Sequence, residues 1–146
     1  MAYIALILST LVAATPAQSL TQKRASLKPE VLITTLAPDA IVQAATAELE
    51  HDTEVDRSES ITIVLSIAAC DKGEVGRCNA SADLVAYKPD GTVHSEIKNV
   101  SLNSLRATAP LKLSASDVTG LYKIVATVRD LNANRFGTAE RVFSVK

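Results

Sequence analysis

From Gly120 to Asp130 the chain alternates without a break. Tyr122, Ile124, Ala126 and Val128 fall on one side, Lys123, Val125, Thr127 and Arg129 on the other. A period of two puts one face of a strand on a core and leaves the other half wet. Ser116-Asp117-Val118-Thr119-Gly120 before it is turn chemistry. Ser60–Cys70 alternates too, with Ile61, Ile63, Leu65 and Ile67 opposite Thr62, Val64, Ser66 and Ala68. Its second face is also mildly apolar, which predicts a central strand. Shorter β-branched or alternating runs occupy Val31–Leu36, Ser81–Lys88, Thr92–Lys98, Ala109–Ser114 and Thr138–Val145. Lys88-Pro89-Asp90-Gly91 joins two of these as a hairpin, since Pro sets φ and Gly accepts a positive one. Asn99–Arg106 reads as irregular. Ala40–Leu49 is Ala-rich and follows Pro38, which fits one short helix with Ile41, Ala44, Ala45 and Glu48 on a shared face. The pattern predicts an all-β protein, an antiparallel sandwich of about seven strands.

The first part of the chain follows another rule. Residues 1 to 22 carry no charged side chain, and Ala2–Val12 is nearly all apolar. Small residues at Ala17 and Ser19 suit a signal-peptidase cut after Ser19. No Lys or Arg precedes the run, which leaves an uncleaved anchor as the alternative, although the run is shorter than the roughly 20 residues of a spanning helix. The reading is a signal peptide over 1–19, a flexible tether over 20–29 and one domain over 30–146. It implies a secreted or periplasmic protein, not integral to a membrane once cleaved. Cys70 and Cys78 bracket a polar loop with two glycines, a spacing that fits a structural disulfide in an exported domain and neither a redox nor a zinc motif.

Composition narrows the partners. Fifteen basic residues against sixteen acidic ones give a net charge of −1, with no surplus to hold a nucleic acid. Aromatics are 3% of the chain and Trp is missing, so sugar or base stacking is disfavoured.

Chemistry-bearing residues are few. Glu48–Glu59 is a charge cluster around His51 and Asp52. Counted from Asp52 as a calcium loop, Arg57 and Ile63 stand where Gly and Glu are needed. The cluster reads as a solvated connection. His94 and Glu96 are two apart on a predicted strand and would share a face. His51 and His94 are the weak candidates for a metal or small-ligand site, with no cofactor indicated. No nucleophile elbow or phosphate loop is present, so no enzymatic role is expected. Asn79 and Asn99 open glycosylation sequons. The loops between strands hold the candidate binding residues: Asp71, Lys72, Glu74 and Arg77 in the Cys loop, Asp90 in the hairpin turn, and Asn132, Asn134 and Arg135 after the long strand.

Gly120-Leu121-Tyr122-Lys123-Ile124, the strand to Asp130 and the return into Val142-Phe143-Ser144-Val145 resemble the end of an immunoglobulin-like or fibronectin-III-like domain, and also macroglobulin-type surface modules. The resemblance covers about a third of the chain and concerns fold rather than activity. It implies that Tyr122 stands at a tyrosine corner, its hydroxyl bonded to nearby backbone. The antibody-type Cys near Ile124 and the buried Trp are absent, and Asp117 is one residue off the usual acidic position. The expectation is a non-catalytic exported domain that binds a protein or an envelope component. The alternative is an exported small-ligand or metal binder.

Overall fold

The computed structural model describes residues 27–44 and 49–146. The signal segment, most of the tether, and Ala45 and Glu48 of the helix face lie outside the described residues.

The protein is all-β with one short helix. Strand β1 (Glu30–Thr34) pairs with β3 (Ile61–Ser66), which pairs on its other side with β6 (Arg106–Leu111). The second sheet runs β2 (Glu54–Val55), β8 (Arg135–Val145), β7 (Gly120–Asp130), β4 (Ala80–Tyr87), β5 (Val93–Ser101). Both alternations predicted from the sequence are realised. Tyr122, Ile124, Ala126 and Val128 are buried against Ile61, Ile63 and Leu65 of the facing sheet in one apolar cluster. Aliphatic side chains dominate that cluster, and Tyr122 and Phe143 are its large aromatic members.

β3 is central, as its two apolar faces require. Its second face carries Val64, which with Leu32 packs under Ile41 and Leu49. Helix α1 (Pro38–Gln43) holds Ile41 there, with Pro38 in its first turn. Pro is favoured at that position because its missing N–H would find no partner inside the helix. The helix ends earlier than the Ala-rich sequence suggests. Ala44 is already extended, and Arg106 Nη1 donates to the carbonyls of Ile41 and Ala44 at 3.1 and 2.9 Å, satisfying acceptors that a longer helix would use.

Other expectations need correction. The described residues hold eight strands where about seven were expected, because Glu54–Val55 in the charge cluster pairs in parallel with Ser144–Val145. Val55 is 1% exposed, so a single apolar residue turns part of this acidic connection inward. Residues 99–101 belong to β5 rather than to an irregular stretch. Leu27, assigned to the tether, is 4% exposed and its carbonyl accepts from Ala68 N–H at 2.8 Å. Pro29 lies against Gly137. The domain therefore begins before β1, where a leucine can still be buried.

The outer edge of β1 is closed by side chains. Arg141 Nε donates to Val31 O at 2.9 Å, Ile33 N–H donates to His51 Nδ1 at 3.2 Å, and Thr35 N–H donates to Asp52 Oδ2 at 2.7 Å. Edge strands protected this way do not template foreign pairing. No helix among the described residues is long and apolar enough to cross a membrane.

Candidate functional site

The predicted disulfide is present between Cys70 and Cys78, with Cα atoms 5.7 Å apart. Inside it the loop folds on itself. Asp71 Oδ1 accepts Gly73 N–H at 2.8 Å, closing an Asx turn, and Arg77 N–H donates to Lys72 O at 2.8 Å. Gly73 has φ +59°, and a Cβ there would meet Asn132 Cγ at 3.0 Å. Both facts demand glycine at the point where the loop meets its neighbour.

That neighbour is the β7–β8 turn. The Asn132 amide donates to Asp71 O and to Arg77 O, both at 2.8 Å, and so grips the loop at its two ends. Asp130, fully buried at the end of β7, accepts Asp71 N–H at 2.8 Å and Arg135 Nη2 at 3.0 Å. Burial pushes its carboxyl upward, but the bonds from Asp71, Arg135 and Ala133 outweigh that and hold it below the usual carboxylate range. Asn134 takes φ +49°, a left-handed conformation that Asn tolerates better than most residues.

Two of the three candidate loops thus form one rigid end. Asp71, Asn132 and Arg135 spend their polar groups inside it, whereas Lys72, Glu74, Arg77 and Asn134 are exposed. At its tip Val75 is 79% and Leu131 55% exposed. Composition and turn chemistry located these loops. Asp130 continues the inward phase of Tyr122, Ile124, Ala126 and Val128, but it was missed because the donors that make a buried carboxylate tolerable there come from other segments, and nothing local marks Asn132 as the clamp.

Asp90 does not join this end. β4 and β7 run antiparallel with Ala80 opposite Asp130 and Tyr87 opposite Lys123, so the hairpin turn lies at the far end. β7 alone spans 11 residues, about 33 Å at strand rise. The Asp90 carboxylate serves its own turn, accepting Thr92 N–H at 2.9 Å and the Thr92 hydroxyl at 2.6 Å.

The histidines stand in separate settings. His51 links the sheets: its Nδ1 accepts from Ile33 N–H, and its Nε2 lies 3.2 Å from Val142 O, to which it donates. His94 and Glu96 do not share a face as expected. Ser95 pairs with Ala86 and Val93 with Tyr87, so His94 is the extra residue of a bulge. The bulge turns it inward, 3.3 Å from Asp117 and edge-on to the Tyr122 ring at 5.9 Å, while Glu96 faces out toward Lys98. Among the described residues, no three His, Cys, Asp or Glu side chains converge as a metal site.

The Tyr122 hydroxyl donates to Val118 O at 2.9 Å, the backbone bond expected of it. Burial first, then the charge of Asp117, raises its phenol above the ordinary value, so the donor keeps its proton. Arg57, passed over in the sequence, fastens the same corner by donating to Ala115 O and Asp117 O at 2.9 and 3.0 Å.

A broad cleft of about 940 Å³ lies between α1 and the outer face of β3 and β6, with Glu30, Ser66, Arg106 and Thr108 on its walls. Both sequon asparagines are exposed; Asn99 sits in a second bulge of β5, where its N–H donates to Asp83 Oδ1 at 3.0 Å. Compared with models of known protein families and with curated protein sequences, the chain matches none.

Proposed function

We propose that the chain is an exported, non-catalytic binding domain of immunoglobulin-like build, whose contact surface is the end formed by Asp71–Arg77 and Leu131–Asn134. One observation carries the reading: a loop is held by a disulfide, by both donors of Asn132 and by buried Asp130, yet places Val75 at its tip 79% exposed. A side chain fixed in water at this expense of ordering gains nothing for the fold. It does lower the entropy lost when a partner covers it. The disulfide and the uncharged, apolar start of the chain support export. The Tyr122 bond supports the immunoglobulin-like assignment.

The test replaces Asp71–Arg77 by a Gly-Ser linker of equal length with both cysteines kept. A photo-crosslinking residue at Thr138, on the flank of the same end, reports the neighbour in the exported compartment. Adducts formed by the native loop should vanish with the linker. Adducts of undiminished yield would place the contact elsewhere.

A further inference from the structure

The two ends of the molecule differ in charge. The end with the hairpin turn carries Asp56, Glu59, Asp90 and Asp117 beside Arg57 and Lys88. The Cys-loop end exposes Lys28, Lys72 and Arg77 against Asp71 and Glu74, while the charge of buried Asp130 is matched by Arg135, which leaves this end with a small cationic excess. Among the described residues neither Lys72 nor Arg77 is paired with a carboxylate. Leu27 and Lys28 lie at this end as well, with Leu27 O accepting from Ala68 N–H.

The apolar component at this end is two aliphatic side chains on adjoining loops, Val75 and Leu131, with Phe136 exposed where β8 begins. Tight protein interfaces centre on Trp, Tyr or Arg anchors seated in pockets. Projecting aliphatics on the same end as unpaired cations suit a soft, negatively charged surface better: hydrocarbon enters the interfacial layer while the cations stay with the headgroups.

We propose that this end docks on an anionic lipid bilayer, with Val75 and Leu131 entering the interface and Lys28, Lys72 and Arg77 lying among the headgroup phosphates. The inference rests on the reading that the Cys-loop end is the contact surface, and names what it contacts.

Flotation of the purified, oxidised protein with vesicles tests it. Vesicles of equal parts phosphatidylglycerol and phosphatidylcholine should carry the protein, phosphatidylcholine alone should not, and added salt should release it. At roughly a factor of five per basic residue, Lys72→Ala with Arg77→Ala should weaken binding about thirtyfold. Val75→Asp with Leu131→Asp should abolish it. These side chains are exposed, and unchanged circular dichroism will show that the variants fold. Leu121→Asp with Val142→Asp, near the acidic end, should bind as the parent does. Equal binding to both vesicles, or loss on Leu121→Asp with Val142→Asp, overturns the proposal. Absence of vesicle binding while the Gly-Ser linker still removes protein adducts at Thr138 would make the partner a protein: the lipid inference falls and the contact surface stands. Vesicle binding indifferent to Val75→Asp with Leu131→Asp would overturn the lipid inference, and the adducts at Thr138 would decide the contact surface.

Discussion

Two side chains decide more than their size suggests. Asp130 is buried with three donors aimed at it, and its carboxyl is held low because those donors together exceed the burial penalty. A carboxyl lower in the folded than in the unfolded chain stabilises fully above its unfolded value of about 3.9 and loses that contribution as pH falls through the folded value. Asp83, held down first by the Arg129 hydrogen bond, and Asp117, held down first by Ser114 N–H, act with the same sign. Thermal melts should therefore show the parent losing stability below about pH 4, and Asp130→Asn should have a visibly shallower slope there. At neutral pH, Asp130→Ala should cost about 3–5 kcal/mol, since it removes the carboxylate that accepts from Arg135 and from Asp71 N–H in a closed site. Equal acid slopes in parent and Asp130→Asn would reject this account. His51 supplies the second case. Its two ring nitrogens serve Ile33 and Val142. His51→Ala should lower stability by about 1–3 kcal/mol and leave calorimetric titrations with Zn²⁺ unchanged from the parent. A zinc heat present in the parent and lost in the variant would restore the metal reading.

At the scale of elements, what was legible in the sequence was whatever a local period could carry. β7 and β3 were legible because each holds its alternation for several residues, and Val64 and Thr62 on the second face of β3 foretold its central place. β2 was not, because two residues have no period and its pairing with β8 depends on a partner far along the chain. β5 misled for a different reason. Its bulges at His94 and Asn99 shift the phase of the strand, so alternation placed His94 beside Glu96 when the backbone turns it inward. The candidate loops were legible as loops from their Gly, Asn and Asp. The clamp between two of them was not, since Asn132 and Asp71 meet only through the fold. Helix α1 lies between these cases, with its start marked by Pro38 and its end fixed by Arg106 from β6. Its purpose is to cover Val64 and Leu32. Ile41→Ala should therefore cost about 2–5 kcal/mol in urea unfolding, as a full aliphatic lost from a closed site does. It should also speed amide exchange in β1 and β3, and a cost under about 1 kcal/mol would mean the helix is an ornament on the sheet.

The whole molecule is a two-sheet frame that holds one end rigid and well away from the other. Three separate restraints act on the Cys loop: the disulfide, the Asn132 amide and the Asp130 carboxylate. They act on different states. The disulfide closes a short loop in the unfolded chain and should contribute about 2–3 kcal/mol to global stability on the chain-entropy account. The Asn132 bonds exist only in the folded state and close no loop in the unfolded one. The Cys70→Ser, Cys78→Ser double variant should then lose about 2–3 kcal/mol in a denaturant melt. The amides of Gly73 and Arg77, bonded to Asp71 and Lys72 within the loop, should stay partly protected because the Asn132 clamp remains. Asn132→Ala in the oxidised protein should show a smaller global loss and faster exchange at those same amides. Removing disulfide and clamp together should melt the loop while β4 and β7, paired along their length, keep their protection. That pattern would separate the order of the loop from the stability of the frame, as a surface pre-formed for contact requires. If cutting the disulfide alone exposes every loop amide to solvent rates, Asn132 and Asp130 are passengers, and the rigidity of this end rests on the covalent link.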